Sequence, residues 1–280
     1  MNRPLGLSVS LPSESVFASG LFECIEYSIG ANFNIESGFD DWEKRTAEIK
    51  ALCRKYNVKM RSYHLPFNGE RFNGCFMHAP AALDEGIRER TFKWTKRLID
   101  GLSDMGIEIL IIHGSLRVED EEKRDKHLEC FIEYLRRLAD YCKPLGISVA
   151  VETLLECCIG GGGDDPENRI REMRRIMEGV NRDNVGICLD NNHFIKSDPY
   201  TFLEELGQYV ITTHFSDYDG ITERHSFPGD GITDWKRITS LLIEKGYKGP
   251  WVFEVSFGDA GHTPEKLNTL VNSWKSLLSN

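Results

Sequence analysis

Four short apolar segments in the second half of the chain each end on a carboxylate or an imidazole. They read ISVAVE, VGICLD, ITTH and WVFE, and they end on Glu152, Asp190, His214 and Glu254. A charged group at the end of a buried strand is costly unless it is paired or binds a cation. Three carboxylates and one imidazole suit Mn, Mg, Co or Zn. The four endings therefore predict a site for one divalent metal ion, with Mn as the first choice.

Strand-like segments alternate with helical patterns along the whole chain. The strands are predicted at 5–11, 22–29, 58–65, 108–113, 147–152, 185–190, 211–214 and 251–254. Helical spacing lies between most of them, over 40–57, 81–105, 119–143, 166–179, 198–206 and 235–245, and again at 264–278. Without a linker or a composition break, this pattern favours a single (β/α)8 TIM barrel domain over residues 1–280. A doubly wound open sheet is the alternative, although no GxGxxG turn follows the first strand.

Side-chain parity predicts the direction of the four endings. Side chains alternate across a strand, so each ending shares its face with every second residue before it. Those residues are mostly small: Ser148, Ala150, Gly186, Cys188, Thr212 and Val252. Small residues inside and branched residues outside fit the wall of a barrel. We therefore expect all four endings to project inward at the carboxyl ends of the strands, where barrel enzymes place their chemistry.

Composition excludes several classes of protein. The formal net charge of -10 argues against a broad nucleic-acid or anionic-membrane surface. The first residues lack the apolar core of a signal peptide, and no segment is long enough for a membrane span. We therefore expect a cytoplasmic protein whose eight cysteines are reduced thiols.

Two further features have open or ordinary interpretations. The glycines at 160–163 follow the fifth strand and form either a mobile lid or a surface linker. His78, His127 and His262 have no partner pattern, so we expect them at the surface.

The order of motifs resembles the xylose isomerase-like TIM barrel superfamily, which includes sugar isomerases and epimerases and the endonuclease IV type of AP endonuclease. The resemblance covers almost the whole chain and rests on the four endings together with His64 in YHLPF, His113 in IIHGS, His193 in CLDNNH, ERH at 223–225 and PGDG at 228–231. Together these motifs are specific for the superfamily, but they do not select one reaction.

The isomerase and epimerase branch implies one divalent metal held by Glu152, Asp190, His214 and Glu254. Glu152 and Glu254 would also move protons on a ketose or on an inosose or polyol-type sugar, through a metal-stabilised enediolate. The substrate would be bound by His64, His113, His193, Arg224 and His225. The shortage of Lys and Arg near the site favours an unphosphorylated small molecule, and relatives of this kind are compatible with a homo-oligomer.

The endonuclease IV branch implies up to three Zn ions instead, with His64, His113, His193 and His225 as further ligands. Glu223 then stands where that family usually carries Asp. The negative net charge and the few cations in the loops count against it; those cations are Arg71, Arg117, Lys123, Arg124, Lys196 and Arg224. A non-catalytic sugar- or metal-binding barrel is a second alternative.

Overall fold

The computed structural model describes residues 3–30, 39–67, 71–72, 75–76, 78–114, 118, 120–155, 158–159, 165–195 and 197–279. Within these ranges the strands are β1 (Leu5–Val9), β2 (Cys24–Ser28), β3 (Lys59–His64), β4 (Arg71–Phe72), β5 (Cys75–Phe76), β6 (Ile109–Ile112), β7 (Ser148–Glu152), β8 (Val185–Asp190), β9 (Val210–His214) and β10 (Trp251–Phe253). The α-helices are α1 (Glu14–Ala18), α2 (Phe39–Tyr56), α3 (Glu85–Asp100), α4 (Glu121–Cys142), α5 (Pro166–Val180), α6 (Pro199–Leu206), α7 (Trp235–Glu244) and α8 (Pro264–Ser279).

Eight parallel strands form one sheet in the order β10-β1-β2-β3-β6-β7-β8-β9. Hydrogen bonds between the two end strands nearly close this sheet into a barrel. The Phe215 amide donates to the Val252 carbonyl at 2.8 Å, and the Glu254 amide donates to the Phe215 carbonyl at 3.1 Å. The predicted (β/α)8 TIM barrel is confirmed, and the open doubly wound sheet is wrong. β4 and β5 form a separate two-residue antiparallel pair in the loop after β3.

Aspartate caps begin five of the helices that follow barrel strands. The caps are Asp84, Asp120, Asp165, Asp198 and Asp234, and each side chain accepts from a backbone amide of the first turn. A carboxylate at this position satisfies an unpaired amide and complements the helix dipole. In α7 the carboxylate of Asp234 lies 3.0 Å from the Arg237 amide.

Two helical regions differ from the sequence pattern. The short helix α1 occupies the Ser-rich connection between β1 and β2, where the sequence pattern did not indicate a helix. The helix predicted over 81–105 is shorter, because α3 ends at Asp100 and a separate 3-10 turn covers Ser103–Met105. No helix in the described ranges is long and apolar enough to cross a membrane.

The two faces of the sheet carry cores of very different size. The outer face packs against the helices in one large apolar cluster that includes Trp251 and Phe253. The barrel interior has a small cluster of its own, formed by Ile109, Ile111, Ala150 and Cys188. Ala150 and Cys188 therefore lie inside, as their parity predicted. Gly186 is required nearby, because a Cβ there would lie 2.6 Å from the carbonyl oxygen of Tyr209.

Candidate metal and active site

The four predicted endings meet above the interior apolar cluster. Glu152, Asp190, His214 and Glu254 each offer one ligand atom, and these atoms lie within 4.8 Å of one another. His214 Nδ1 lies 3.2 Å from Glu152 Oε1 and 3.1 Å from Glu254 Oε2. Glu152 and Asp190 are buried, whereas the Glu254 side chain is 29% exposed. The structure therefore brings the whole predicted ligand set together, and Glu254 is its accessible member.

The electrostatics of this set fit a cation. Asp190 Oδ2 is buried and receives no hydrogen bond from a described residue. Burial, together with the charges of Glu254 and Glu152, raises the pKa of Asp190 to about 6, against the opposing effect of His193 and His225. Burial also disfavours the charged form of Glu152, but His113 and His214 outweigh it and hold its pKa well below the usual range. A divalent ion would satisfy the unpaired oxygen and neutralise the carboxylates.

Glu26 is a buried carboxylate that sequence reasoning missed. It lies on β2, and its Oε1 accepts from His214 Nε2 at 2.9 Å. Its register neighbours on β1 and β3 supply the other bonds, from Ser8 Oγ at 3.1 Å and Ser62 Oγ at 2.9 Å. A carboxylate on the outer nitrogen of a histidine fixes the ring orientation and leaves the other nitrogen free for a metal.

One signal in the sequence could have identified Glu26. The segment FECIEYSI places a glutamate inside an otherwise apolar strand rather than at its end. Because side chains alternate, Glu26 and Ser28 share the face that points into the barrel. Burying a carboxylate there requires partners, and the sequence alone did not identify His214 on a distant strand as one of them.

His64 and His113 lie on the second oxygen of Glu152. Their Nε2 atoms are 2.8 and 2.6 Å from Glu152 Oε2. His64 Nδ1 lies 2.7 Å from the Leu65 carbonyl, which can only accept, so Nδ1 carries the proton. Neutral His64 therefore presents a lone pair to a carboxylate, an arrangement that needs a second proton or a cation. Burial lowers the pKa of His64, but the hydrogen bond and charge of Glu152 exceed this effect and raise it overall.

A third group of side chains surrounds Glu223. His193 and His225 place Nε2 at 3.6 and 3.0 Å from Glu223 Oε1. The Thr153 carbonyl oxygen lies 2.7 Å from His193 Nδ1, and the Glu254 carbonyl oxygen lies 3.0 Å from His225 Nδ1. Asp190, His193 and His225 also form a ligand group whose atoms lie within 4.8 Å of one another. Burial opposes the charged imidazoles, but the neighbouring carboxylates raise the pKa of His193 to about 10 and of His225 to about 9.

Arg224, a predicted substrate contact, is not brought into this cluster. Its side chain is 58% exposed and pairs with Asp219 Oδ2 at 2.8 Å. The neighbouring His225 has a left-handed backbone, with φ of 50°. A non-glycine residue held in that region is strained, which is common where a site fixes a side chain. Two backbone hydrogen bonds between Asp217 and Ser226 hold the base of the loop that carries His225.

The PGDG motif lies in a loop that the side chain of Asp217 holds together. Asp217 is buried and accepts from the amides of Tyr218, Gly229 and Thr233 and from the indole of Trp235. The glycine at 231 is required, because a Cβ there would lie 2.2 Å from the Tyr218 carbonyl oxygen. These residues build the loop that carries Glu223 and His225.

Several remaining predictions have separate outcomes. His78 is not at the surface: it is 1% exposed, because its loop packs under α3, and its Nε2 lies 3.0 Å from Thr95 Oγ1. Arg124 is buried against Glu172 rather than available to a ligand. The glycines at 160–163, together with Arg117, Lys196 and the Arg71 side chain, lie outside the described residues.

Comparisons with known sequences place the chain in a family. The family model Xylose isomerase-like TIM barrel matches residues 16–276. The uncharacterized protein y4fM of Sinorhizobium fredii is 27% identical over 173 residues, covering 60% of this chain and 53% of that protein. A probable endonuclease 4 of Ureaplasma parvum is 26% identical over 284 residues, covering 89% and 88%. A ketose 3-epimerase of Arthrobacter globiformis is 26% identical over 186 residues, covering 65% and 60%.

Comparisons with solved structures support the same fold. A D-tagatose 3-epimerase-like protein superposes with a TM-score of 0.73 at 20% identity, covering 99% of this chain and 98% of that one. The IOLI protein, solved with a bound zinc atom, superposes with a TM-score of 0.72 at 17% identity over 99% and 98%. At these identities the superpositions establish the fold alone. On the family match, which spans most of the sequence, the chain belongs to the xylose isomerase-like TIM barrel family.

Proposed function

We propose that this protein is a metal-dependent sugar isomerase or epimerase that acts on a ketose or an inosose-type substrate. The observation that carries the proposal is the pair of carboxylates at one ligand set. Glu152 and Glu254 both lie within 3.2 Å of His214 Nδ1, and Glu254 is open to the mouth of the barrel. Sugar epimerases among the relatives and structural neighbours support the same class of reaction.

Glu152, Asp190, His214 and Glu254 would hold the divalent ion, and Mn remains our first choice. When bound, the ion supplies positive charge that stabilises an enediolate next to a sugar carbonyl. Glu26 would hold His214 so that Nδ1 faces the ligand set. This arrangement depends on residues from β2, β7, β8, β9 and the end of β10.

The chain's own residues would move the proton. One of Glu152 and Glu254 removes the proton next to the carbonyl, and the other returns it to the opposite face for an epimerisation. His64 and His113 would bind substrate oxygens beside Glu152, and His193 and His225 would do so beside Glu254. The scarcity of described cations at the mouth favours an unphosphorylated sugar.

The test combines metal analysis with solvent exchange. Protein purified without chelator is expected to contain one divalent ion per chain. In D₂O the loaded protein is expected to introduce deuterium into a ketose or inosose at the carbon next to the carbonyl. Glu254→Gln should remove this exchange, while Glu244→Gln, the same change at an exposed position of α7, should keep it. Exchange that is unchanged in Glu254→Gln would show that the acid and base assignment is wrong.

A specific observation favours one second candidate, an endonuclease IV-like enzyme. His64, His193 and His225 each donate Nδ1–H to a backbone carbonyl and turn Nε2 toward a carboxylate. Such fixed imidazoles could hold two further Zn ions, giving three per chain. Three zincs with cleavage of abasic DNA would establish this function and exclude the first. Ligand-induced stabilisation without exchange or cleavage would instead indicate a non-catalytic binding barrel.

A further inference from the structure

A cavity of about 510 Å³ opens beside Glu254 on the β1–β2 side of the mouth. Four of its lining residues are serines: Ser8, Ser10, Ser28 and Ser256. Phe67 and Phe257 supply apolar ring surface to the same cavity. Its volume falls in the range of small-molecule sites, which typically measure about 300–1,000 Å³.

Ser28 points to a ligand in this cavity. It is the last residue of β2 and shares the inward parity of Glu26. Ser28 is 7% exposed, and its hydroxyl makes no hydrogen bond with any described residue. Because Ser28 lines the cavity, a ligand oxygen there could form a hydrogen bond with its hydroxyl that no described residue forms.

The charged groups around the cavity indicate which class of ligand it favours. Among the described residues that line the cavity, Glu254 is the only acidic one, and none is Lys or Arg. The Lys266 ammonium, which lies nearby, donates to the Phe257 carbonyl. Burial lowers the pKa of His262, so this lining imidazole is neutral at pH 7. The described lining therefore offers an anion no Lys or Arg side chain, whereas neutral hydroxyls would meet serines and aromatic faces.

We propose that this serine cavity binds a neutral, hydroxyl-rich substituent of the substrate, such as a glycosyl group carried by the reacting ketose. The inference rests on the proposed function, because the cavity becomes a subsite only when the reacting carbons lie at Glu254. It narrows the substrate class from ketoses in general to ketoses that are glycosylated or otherwise extended by neutral hydroxyl groups, and it disfavours sugar phosphates.

Three ketoses that differ at one oxygen test this selection. D-Fructose carries a free O6, isomaltulose carries a glucosyl group there, and fructose 6-phosphate carries a phosphate. Titration calorimetry on the Mn-loaded protein should show isomaltulose binding most tightly. Fructose 6-phosphate should bind at least about tenfold more weakly than isomaltulose, because the described lining offers the charged phosphate neither Lys nor Arg to replace its hydration. Tighter binding of fructose 6-phosphate, equal binding of the three, or no binding would overturn the proposal.

Variants then locate the substituent. Ser28→Ala should weaken isomaltulose binding by about two- to tenfold, the equivalent of one hydrogen bond, and leave fructose binding unchanged. Ser10→Phe narrows the cavity from its exposed edge, where misfolding is not expected, and should remove the preference for isomaltulose. Ser148→Ala is the matched control, because Ser148 is the first residue of β7 and does not line the cavity. Equal effects on both sugars would contradict the subsite.

Binding and exchange separate this proposal from the proposed reaction. If the three ketoses bind in the expected order but none takes up deuterium, the subsite stands and the isomerase assignment fails. If deuterium enters all three at equal rates and equal affinities, the reaction stands and the subsite fails.

Discussion

The two sides of the barrel interior differ in how they satisfy their buried carboxylates. On the hydroxyl side, formed by Ser8, Glu26 and Ser62, both oxygens of the carboxylate accept hydrogen bonds. On the ligand side, formed by Glu152, Asp190, His214 and Glu254, one Asp190 oxygen accepts none from the described residues, and two carboxylates crowd one imidazole nitrogen. Complete hydrogen bonding stabilises the first side, whereas the second gains most from an added cation.

This difference assigns separate roles to neighbouring carboxylates. Glu26 contacts His214 on one nitrogen and the ligand side uses the other, so the imidazole joins the two sides. Changes on the ligand side should therefore alter chemistry and metal binding directly. Changes on the hydroxyl side should alter metal binding through the orientation of His214.

The largest expected effect is on the ligand side. Glu254→Gln should lower the rate of solvent exchange into a ketose by about 10²- to 10⁴-fold, because the amide cannot accept the proton. Without metal the variant should unfold at a somewhat lower denaturant concentration than the wild type. Burial opposes the charge of Glu254, but the His214 imidazole outweighs it, lowers the pKa of Glu254 to about 2 and so stabilises this charge in the folded protein. Chemical denaturation in chelator measures this, and unchanged stability would show that His214 does not pair with Glu254 in the absence of metal.

A smaller effect is expected at Glu26, which contacts the other nitrogen of the His214 imidazole. Glu26→Gln should weaken metal binding by about 10- to 100-fold, because the amide can donate to Nε2 and so place the proton on Nδ1. Competition with a chromophoric chelator gives the affinity. Ser62→Ala is the matched control, since it removes one bond to Glu26 but leaves the contact with His214. If both variants bind metal like the wild type, Glu26 does not position His214.

His78 provides a third test, at a buried imidazole that contacts α3 rather than the ligand side. It is a buried imidazole whose described side-chain contacts are with Thr95 and Tyr134, and burial lowers its pKa from 6.5 to about 3. The unfolded chain therefore binds the proton first as the pH falls, so this residue lowers stability from about pH 6.5 down to about pH 3. The slope is at most about 1.4 kcal/mol per pH unit. Urea unfolding at pH 7.5 and pH 5 should show a shallower dependence in His78→Gln, and identical slopes would contradict the assignment.

Arg224 should give the smallest effect. Its pair with Asp219 is exposed, so Arg224→Ala should leave the free energy of unfolding almost unchanged. The predicted substrate contact requires this side chain to turn toward the mouth. A KM several-fold higher with unchanged stability would support that contact, whereas unchanged KM would remove Arg224 from the site.

Periodicity and parity were sufficient for the fold and for the convergence of the four strand endings. Buried strands that end on charged groups are rare, so each of the four endings could be recognised from its own strand. These endings are Glu152, Asp190, His214 and Glu254. Glu26 could not be recognised in this way, because its partners come from three other strands and no local pattern encodes them. His78 was misplaced for a related reason: its burial depends on α3 and on Tyr134 of α4, which lie far along the chain.

The position of β10 has a consequence for how the protein matures during synthesis. β10 pairs with β1, and next to that seam the Arg3 guanidinium donates to the Gly249 carbonyl, 246 residues away along the chain. Glu254 follows β10 directly, so the complete ligand set cannot exist until this strand has been translated and has docked beside β1. In a nascent chain the proposed metal site therefore stays incomplete until β10 has emerged from the ribosome. Acquisition of a metal at that site would then report that β10 has docked beside β1.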